Sequence, residues 1–242
     1  MFLEERYEKI LYNLNKEGRV KVKILAKEFN VTEDCIRKDL KELENRGLLK
    51  RVYGGAIINR THIDLKPIDE RQYINSSEKK EIALKALNLI EDNDILFLDT
   101  STINLEIAKL LNNKDMKITV ISNMMEIILE LKNNNNIKTI CIGGEFNKEV
   151  GAVVGSAANR YISNFSYDKS FIGVGGVNIE KETLSTIYIE DGSTKKTIIE
   201  CSNKTYVVME EEKFNYEELY KFAYFKDVDA IISEKEILYS NR

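Results

Sequence analysis

From residue 95 onward the chain repeats one pattern, a short uninterrupted apolar run followed by a stretch of helical period. The runs are "ILFLD" (95–99), "KITVIS" (117–122), "IKTICIGG" (137–144), "KSFIGVGG" (169–176), "TYVVME" (205–210) and "AIISE" (230–234). Between them, and ahead of the first at 77–90, lie amphipathic segments at 102–111, 124–133, 156–165, 193–202 and 216–223. A strand that faces water on one side alternates apolar and polar residues, so continuous apolar strands must be covered on both faces. The pattern therefore predicts an α/β domain, a largely parallel doubly wound sheet with helices on both sides. Ligands of such sheets bind outside the carboxyl ends of the strands.

The first sixty residues follow a different period. "LEERYEKILYNLNKEG" sets Leu3, Tyr7, Ile10, Leu11 and Leu14 on one helical face, with Gly18 as its cap. "VKVKILAKEFN" reads as a second helix with Ile24, Leu25 and Phe29 inward, and Asn30 can take the left-handed turn that follows. Thr32 is suited to cap a third helix, with Glu33 and Asp34 at its positive end. Ile36, Leu40 and Leu43 recur at the spacing of one buried face, so Arg37, Lys38 and Lys41 project from the others. After Gly47 the period shortens, and "LLKRVY" and "AII" flank Gly54-Gly55 as two strands of a hairpin whose tip needs positive φ. Three helices and a hairpin make a winged helix-turn-helix, whose third helix can enter a DNA major groove with Lys50, Arg51 and Tyr53 of the wing near the backbone.

Charge agrees with that division. Of 36 Lys and Arg and 40 Asp and Glu, 14 and 10 fall in residues 1–60, which makes the front basic (+4) and the remainder acidic (−8). Only the front suits a polyanion. The expected boundaries are 1–58 for the winged helix-turn-helix, 59–77 for a linker carrying the single proline, Pro67, and 78–242 for the α/β domain. The three cysteines and single histidine, His62, have neither zinc nor redox spacing, and the cysteines read as small side chains. No run is long enough to span a bilayer and the acidic amphipathic start is unlike a secretory signal, so a cytoplasmic protein with no membrane partner is expected.

Within the α/β domain the strand 95–99 ends in "DTSTIN". Asp99 closes the strand, Ser101 and Thr102 supply hydroxyls, Asn104 follows, and the start of the next helix offers free N–H groups and its dipole to an anion. A simple Ser/Thr cap explains the same residues. Other strand ends supply candidate walls at Asn123, Gly143, Gly144, Gly173, Gly175 and Gly176. No dinucleotide fingerprint or phosphate loop of the Gly-Lys-Ser/Thr kind occurs, so neither NAD nor ATP is expected, and no other cofactor.

The stretch "GRVKVKILAKEFNVTEDCIRKDLKELENRGLLKRVYGGA" resembles the signature of the DeoR family of bacterial transcription regulators, and the resemblance extends over essentially the whole chain. Cys35-Ile36-Arg37-Lys38-Asp39-Leu40 matches the family's Thr-Ile-Arg-Arg-Asp-Leu, and Arg51 to Ala56 its Arg-x-x-Gly-Gly-Ala. The resemblance implies a sensor domain with the fold of sugar-phosphate isomerases. It also implies a sequence-specific regulator of a double-stranded DNA operator, a repressor, released by a phosphorylated sugar or related metabolite. The DNA-binding residues it implies are Thr32, Cys35, Arg37, Lys38, Lys41, Arg51, Tyr53, Gly54 and Gly55. The effector residues are Asp99, Ser101, Thr102, Asn104, Asn123, Gly144, Gly175 and Lys213. Ile103 stands where the family loop has a hydroxyl, and Glu210 where its late Asp-x-x-Lys has Asp. A homo-oligomer, dimer or tetramer, is expected because two-fold proteins read paired half-sites. The alternative is a sugar-phosphate isomerase with an added DNA-binding head, for which Glu190 and Asp191 are candidate bases.

Overall fold

The computed structural model describes residues 3–46, 48–57, 68–214 and 216–240. His62, Pro67 and the rest of residues 59–67 of the expected linker lie outside the described residues, whereas 68–77 carry a short helix and the start of the next. The chain divides into two compact units, Met1–Asp64 and Leu65–Arg242. No helix among the described residues is long and apolar enough to cross a membrane.

The first unit runs α1 (Leu3–Glu17), β1 (Arg19–Lys21), α2 (Val22–Phe29), α3 (Glu33–Asn45), β2 (Lys50–Val52) and β3 (Gly55–Ile57). Tyr7, Ile10, Leu14, Leu25, Phe29, Ile36, Leu40, Leu43 and Leu49 share one core, while Leu3 is exposed. Asn30 has φ 54, and its turn lets α3 pack against α2. Thr32 caps α3, its Oγ1 accepting from the Cys35 N–H at 3.2 Å. Asp39 points inward instead of to solvent: Arg6 of α1 donates to both its carboxylate oxygens, with Nη2 to Oδ1 at 2.9 Å. A fork of that kind fixes the angle between two helices more tightly than apolar contact alone.

Two expectations are corrected here. "VKVK" begins as a strand, not a helix, because Val20 and Lys21 pair antiparallel with β3, giving the sheet order β1-β3-β2. The later helix start turns Ile24 outward, 58% exposed, and sends Val22 and Leu25 into the core. The hairpin tip is Tyr53-Gly54, since Val52 pairs with Gly55. Only Gly54 has positive φ, 78°. Gly55 is required for a different reason, because a Cβ there would stand 1.9 Å from the Val20 carbonyl oxygen.

The second unit runs α4 (Ile68–Arg71), α5 (Ser76–Leu87), β4 (Ile95–Leu98), α6 (Thr102–Asn112), β5 (Ile118–Ser122), α7 (Met125–Leu131), β6 (Ile137–Cys141), β7 (Phe146–Asn147), β8 (Ala152–Val153), α8 (Ser156–Ile162), β9 (Tyr167–Gly173), β10 (Gly176–Asn178), β11 (Thr183–Thr186), α9 (Ile189–Glu200), β12 (Ser202–Val208), β13 (Tyr220–Tyr224), β14 (Ala230–Ile232) and β15 (Ile237–Tyr239). The main sheet has the order β15-β14-β12-β9-β4-β5-β6, parallel except for β15. One core, with Leu96, Leu98 and Val120, is shared with α5, α6 and α7, and the other, with Phe97, Ile121 and Ile172, with α8 and α9. From β4 the chain steps outward to β5 and β6, then returns to place β9 on the other side of β4. The strand order reverses between β4 and β9, and that reversal opens the ligand crevice of such sheets at their carboxyl ends.

The segment 216–223 is not the expected helix. Tyr220–Tyr224 pairs antiparallel with β11 in a small sheet β10-β11-β13. Its helical propensity yields to packing: residues 216–219 lie against Gly176, where a Cβ would come within 2.5 Å of the Tyr216 carbonyl oxygen.

The two wing glycines make a graded prediction. Gly55→Ala forces β1 off β3 and should lower the first unit's unfolding midpoint strongly, whereas Gly54→Ala, with open space around its Cβ, should cost only about 1 kcal/mol of backbone strain. Urea unfolding of the two variants should rank them in that order.

Candidate functional site

In the first unit, Arg37, Lys38 and Lys41 occupy the exposed side of α3, and Lys50, Arg51 and Tyr53 the adjoining hairpin. Tyr53 at the tip is fully exposed. Two of the arginines are held by carboxylates with which sequence reasoning did not pair them. Arg37 Nη2 lies 2.9 Å from Glu33 Oε2 and Nη1 2.8 Å from Asp34 Oδ1. Arg51 Nε lies 2.7 Å from Glu44 Oε2, and its backbone N–H donates to Glu44 Oε1 at 2.8 Å. These bonds with Arg51 hold the Glu44 carboxyl below its ordinary pKa. Glu44 thus ties the wing to the last turn of α3. Cys35 is half-buried, and a thiol offers only weak hydrogen bonds.

In the second unit the switch point between β4 and β9 is a polar cluster. Asp99, fully buried, receives the Gly173 N–H at 3.3 Å and the Lys195 ammonium at Oδ2. Lys195 is 3% exposed and also lies 3.1 Å from Asp191, whose other oxygen accepts from the Thr186 hydroxyl at 2.6 Å. Burial alone would lower the Lys195 pKa, but Asp191 and Asp99 together raise it, so the ammonium stays charged. Burial raises Asp99, against the pull of Lys195. Two carboxylates share one cation.

Ser101 caps α6, its Oγ accepting from the Ile103 N–H at 3.1 Å, and the neighbouring Thr102 is buried. Ile103 packs into the core under α6 and does not fill the loop. A Cβ on Gly173 would stand 2.8 Å from the Ser101 Cβ, so this glycine lets β9 close against the loop. Lys213, in a 3-10 turn after β12, donates to the Val174 carbonyl at 2.9 Å and lies 3.4 Å from Glu210. Two further cations enter the cluster. Lys79 in the first turn of α5 lies 3.6 Å from Glu210, and its pKa is lowered chiefly by burial. Burial likewise lowers Arg71, which sits in the fields of Asp191 and Glu210. Burial would raise Glu210, but Lys213 and Lys79 overcome it and hold the carboxyl ionised.

The other expected residues are placed differently. Asn104 Nδ2 donates to the Asp99 and Phe171 carbonyls at 2.7 and 2.8 Å, so it clamps β4 to β9. Gly144 is exposed, with the Val153 side chain beside it, and Gly175 is half-buried against Glu218 and Ser185. Asn123 is buried at the end of β5. Sequence reasoning missed Lys79 and Lys195. The signal for Lys79 was its place on the stripe of Ile82, Ala83 and Ala86, where a lysine must find a buried partner. Lys195 follows Asp191 by one helical turn.

Lys195→Met would leave Asp99 and Asp191 buried without their cation. Urea unfolding should register a loss of about 3–5 kcal/mol, and Asp99→Asn in the same background should restore part of it.

The DeoR-like helix-turn-helix domain model matches residues 6–62, and the DeoR C terminal sensor domain model residues 74–235. The HTH-type transcriptional repressor GlcR of Bacillus subtilis (strain 168) is 30% identical over 235 residues, 97% of this chain and 90% of the relative. The lactose phosphotransferase system repressor of Staphylococcus aureus (strain N315) is 30% identical over 236 residues, 96% and 92% of the two chains. The L-fucose operon activator of Haemophilus influenzae is 30% identical over 232 residues, again 96% and 92%. Among solved structures, the translation initiation factor eIF-2B of Pyrococcus horikoshii OT3 aligns with a TM-score of 0.51 at 15% identity, over 99% of this chain and 90% of that one, a likeness of fold alone. With both domain models matched in order along one chain, and with relatives of this kind along nearly its whole length, the protein belongs to the DeoR family of DNA-binding transcription regulators.

Proposed function

We propose that this regulator is a repressor whose affinity for its operator is set by a phosphorylated sugar or a chemically similar metabolite bound at the β4–β9 switch point. The observation that carries the reading is the convergence of Lys79, Lys213 and Arg71 around Glu210 at the end of β12, two strands along the same sheet from the Ser101-Thr102 turn after β4. Lys79 and Lys213 flank Glu210, Arg71 sits in the fields of Asp191 and Glu210, and the Ser101-Thr102 turn opens α6, whose dipole favours an anion. A phosphate there gains charge-assisted hydrogen bonds that a neutral sugar does not. The names of the relatives, two sugar-operon regulators among them, favour a sugar over other phosphate esters.

On the DNA side, Arg37 reads a base edge, Lys38 and Lys41 meet phosphates, and Arg51 with Tyr53 follows the backbone from the wing. Thr32, Cys35, Gly54 and Gly55 shape the surface that carries them. The chain acts as a homo-oligomer, so that two copies of α3 meet paired half-sites. Glu190 is exposed in the first turn of α9, and Asp191 is committed to Thr186 and Lys195, so neither is placed as the base of an isomerase.

Two measurements test this function. Arg37→Ala should weaken specific operator binding by about 1–3 kcal/mol at matched salt with little change in the unfolding midpoint. An unchanged affinity would remove α3 from the groove. In gel-shift titrations, a hexose 6-phosphate should shift operator affinity of the wild-type chain and the free hexose should not, and Thr102→Glu, which puts a carboxylate in place of the phosphate, should abolish the response. A response that survives Thr102→Glu would move the phosphate elsewhere.

A further inference from the structure

The exposed face of α3 is not wholly basic. Its buried face is Ile36, Asp39, Leu40 and Leu43. A helix turns about 100° per residue, so the line directly opposite is Asp34, Lys38, Lys41 and Asn45, and all four are exposed. That line opens on a carboxylate, and the Asp34 side chain is 81% exposed. A negative charge on the face that meets DNA is repelled by the phosphates of every sequence, so it lowers affinity unless a base answers it.

The helix itself does not need Asp34. Thr32 supplies the cap. Glu33 supplies an acid to the positive end of the helix. Glu33 also holds Arg37, Oε2 to Nη2 at 2.9 Å, and it stands off the outward line with its side chain 40% exposed. Asp34 takes the same guanidinium from the outward line, Oδ1 to Nη1 at 2.8 Å. Among the described residues no hydrogen bond reaches its Oδ2. A guanidinium has five N–H donors, so Arg37 can keep Asp34 and still donate to a guanine edge, which then takes the place of Glu33.

We infer that Asp34 is a specificity-determining residue of the DNA contact, its carboxylate accepting from the N4 amino group of a cytosine in the base pair next to the guanine that Arg37 reads. The inference rests on the reading of Arg37 as a base contact. In the major groove only cytosine N4 and adenine N6 donate. Adenine N6 stands beside the N7 acceptor, which repels a carboxylate, and guanine O6 and N7 and thymine O4 repel it outright. Cytosine is therefore the base that answers an acceptor with no donor of its own. The spacing agrees. Residues three apart on a helix are separated by about 4.5 Å along its axis, and successive base pairs by about 3.4 Å, so Asp34 and Arg37 reach neighbouring pairs. The carboxylate thereby gives up general affinity and gains discrimination, because only the right base offsets its repulsion.

The test is selection of the full chain on a library of randomised duplex DNA, followed by the affinity of the selected site and of each single base-pair change in it at matched salt. The wild-type chain should select a guanine and a cytosine in neighbouring base pairs, and should lose about tenfold in affinity when the pair carrying that cytosine is changed. Asp34→Ala should erase that loss and bind random duplex as tightly as the wild-type chain or more tightly, with the unfolding midpoint unchanged. Asp34→Asn should accept adenine in place of the cytosine, since a carboxamide donates as well as accepts. Arg37→Ala should relax the choice of guanine. If Asp34→Ala keeps the cytosine preference and gains affinity equally on selected and random DNA, the carboxylate only repels phosphates and the inference is overturned. A selected guanine with no cytosine in a neighbouring pair overturns it too, while the reading of Arg37 stands. A guanine preference that Arg37→Ala does not relax overturns the reading of Arg37, and the role of Asp34 falls with it.

Discussion

The Asp99 carboxylate joins three elements of the second unit. It ends β4, receives the N–H of Gly173 at the end of β9, and holds the Lys195 ammonium of α9. An isolated buried charge would cost several kcal/mol, so the carboxylate, the ammonium and Asp191 persist only as a set. The set sits where the strand order reverses, which is the place an α/β sheet leaves open. Its position explains why Gly173 must lack a side chain and why Asn104 spends its amide on the carbonyls that flank it. The charged rim formed by Lys79, Lys213 and Glu210 is built outward from this anchor.

The first unit relies on an ion pair in a similar way, with a different outcome. Arg6 and Asp39 are buried and lock α3 to α1. Arg37 and Arg51 are exposed and paired to carboxylates of the same surface. Exposed pairs of this kind contribute little to stability. The pairs hold each guanidinium in a defined place, and under the proposed DNA contacts a phosphate or a guanine edge would exchange one partner for another, with a strong dependence on salt.

Much of this was legible in the sequence because period is a local signal. The apolar runs marked the parallel strands, the spacing of Ile36, Leu40 and Leu43 marked the buried face of α3, and Asn30 and Thr32 marked the turn before it. What failed depended on partners remote in sequence. β1 exists because β3 returns to pair with it, and neither "RVK" nor the exposed Ile24 announces that. Residues 216–223 have helical composition, yet β11 claims Tyr220–Tyr224 as a strand. The glycines at the wing looked equivalent, and only the carbonyl of Val20 distinguishes them. Lys79 and Lys195 looked like ordinary surface lysines because their carboxylates, Glu210 and Asp99, lie far away along the chain. The rim of the cluster was visible as strand ends, and of its cations Lys213 was named through the family resemblance while Lys79, Lys195 and Arg71 were not.

The most direct measurement of the central claim is a crystal structure of the chain with a hexose 6-phosphate bound. The account predicts the phosphorus over the first turn of α6, in contact with Thr102 and within reach of Lys213. A phosphate bound elsewhere, with Ser101 and Thr102 serving only as the cap of α6, would contradict it.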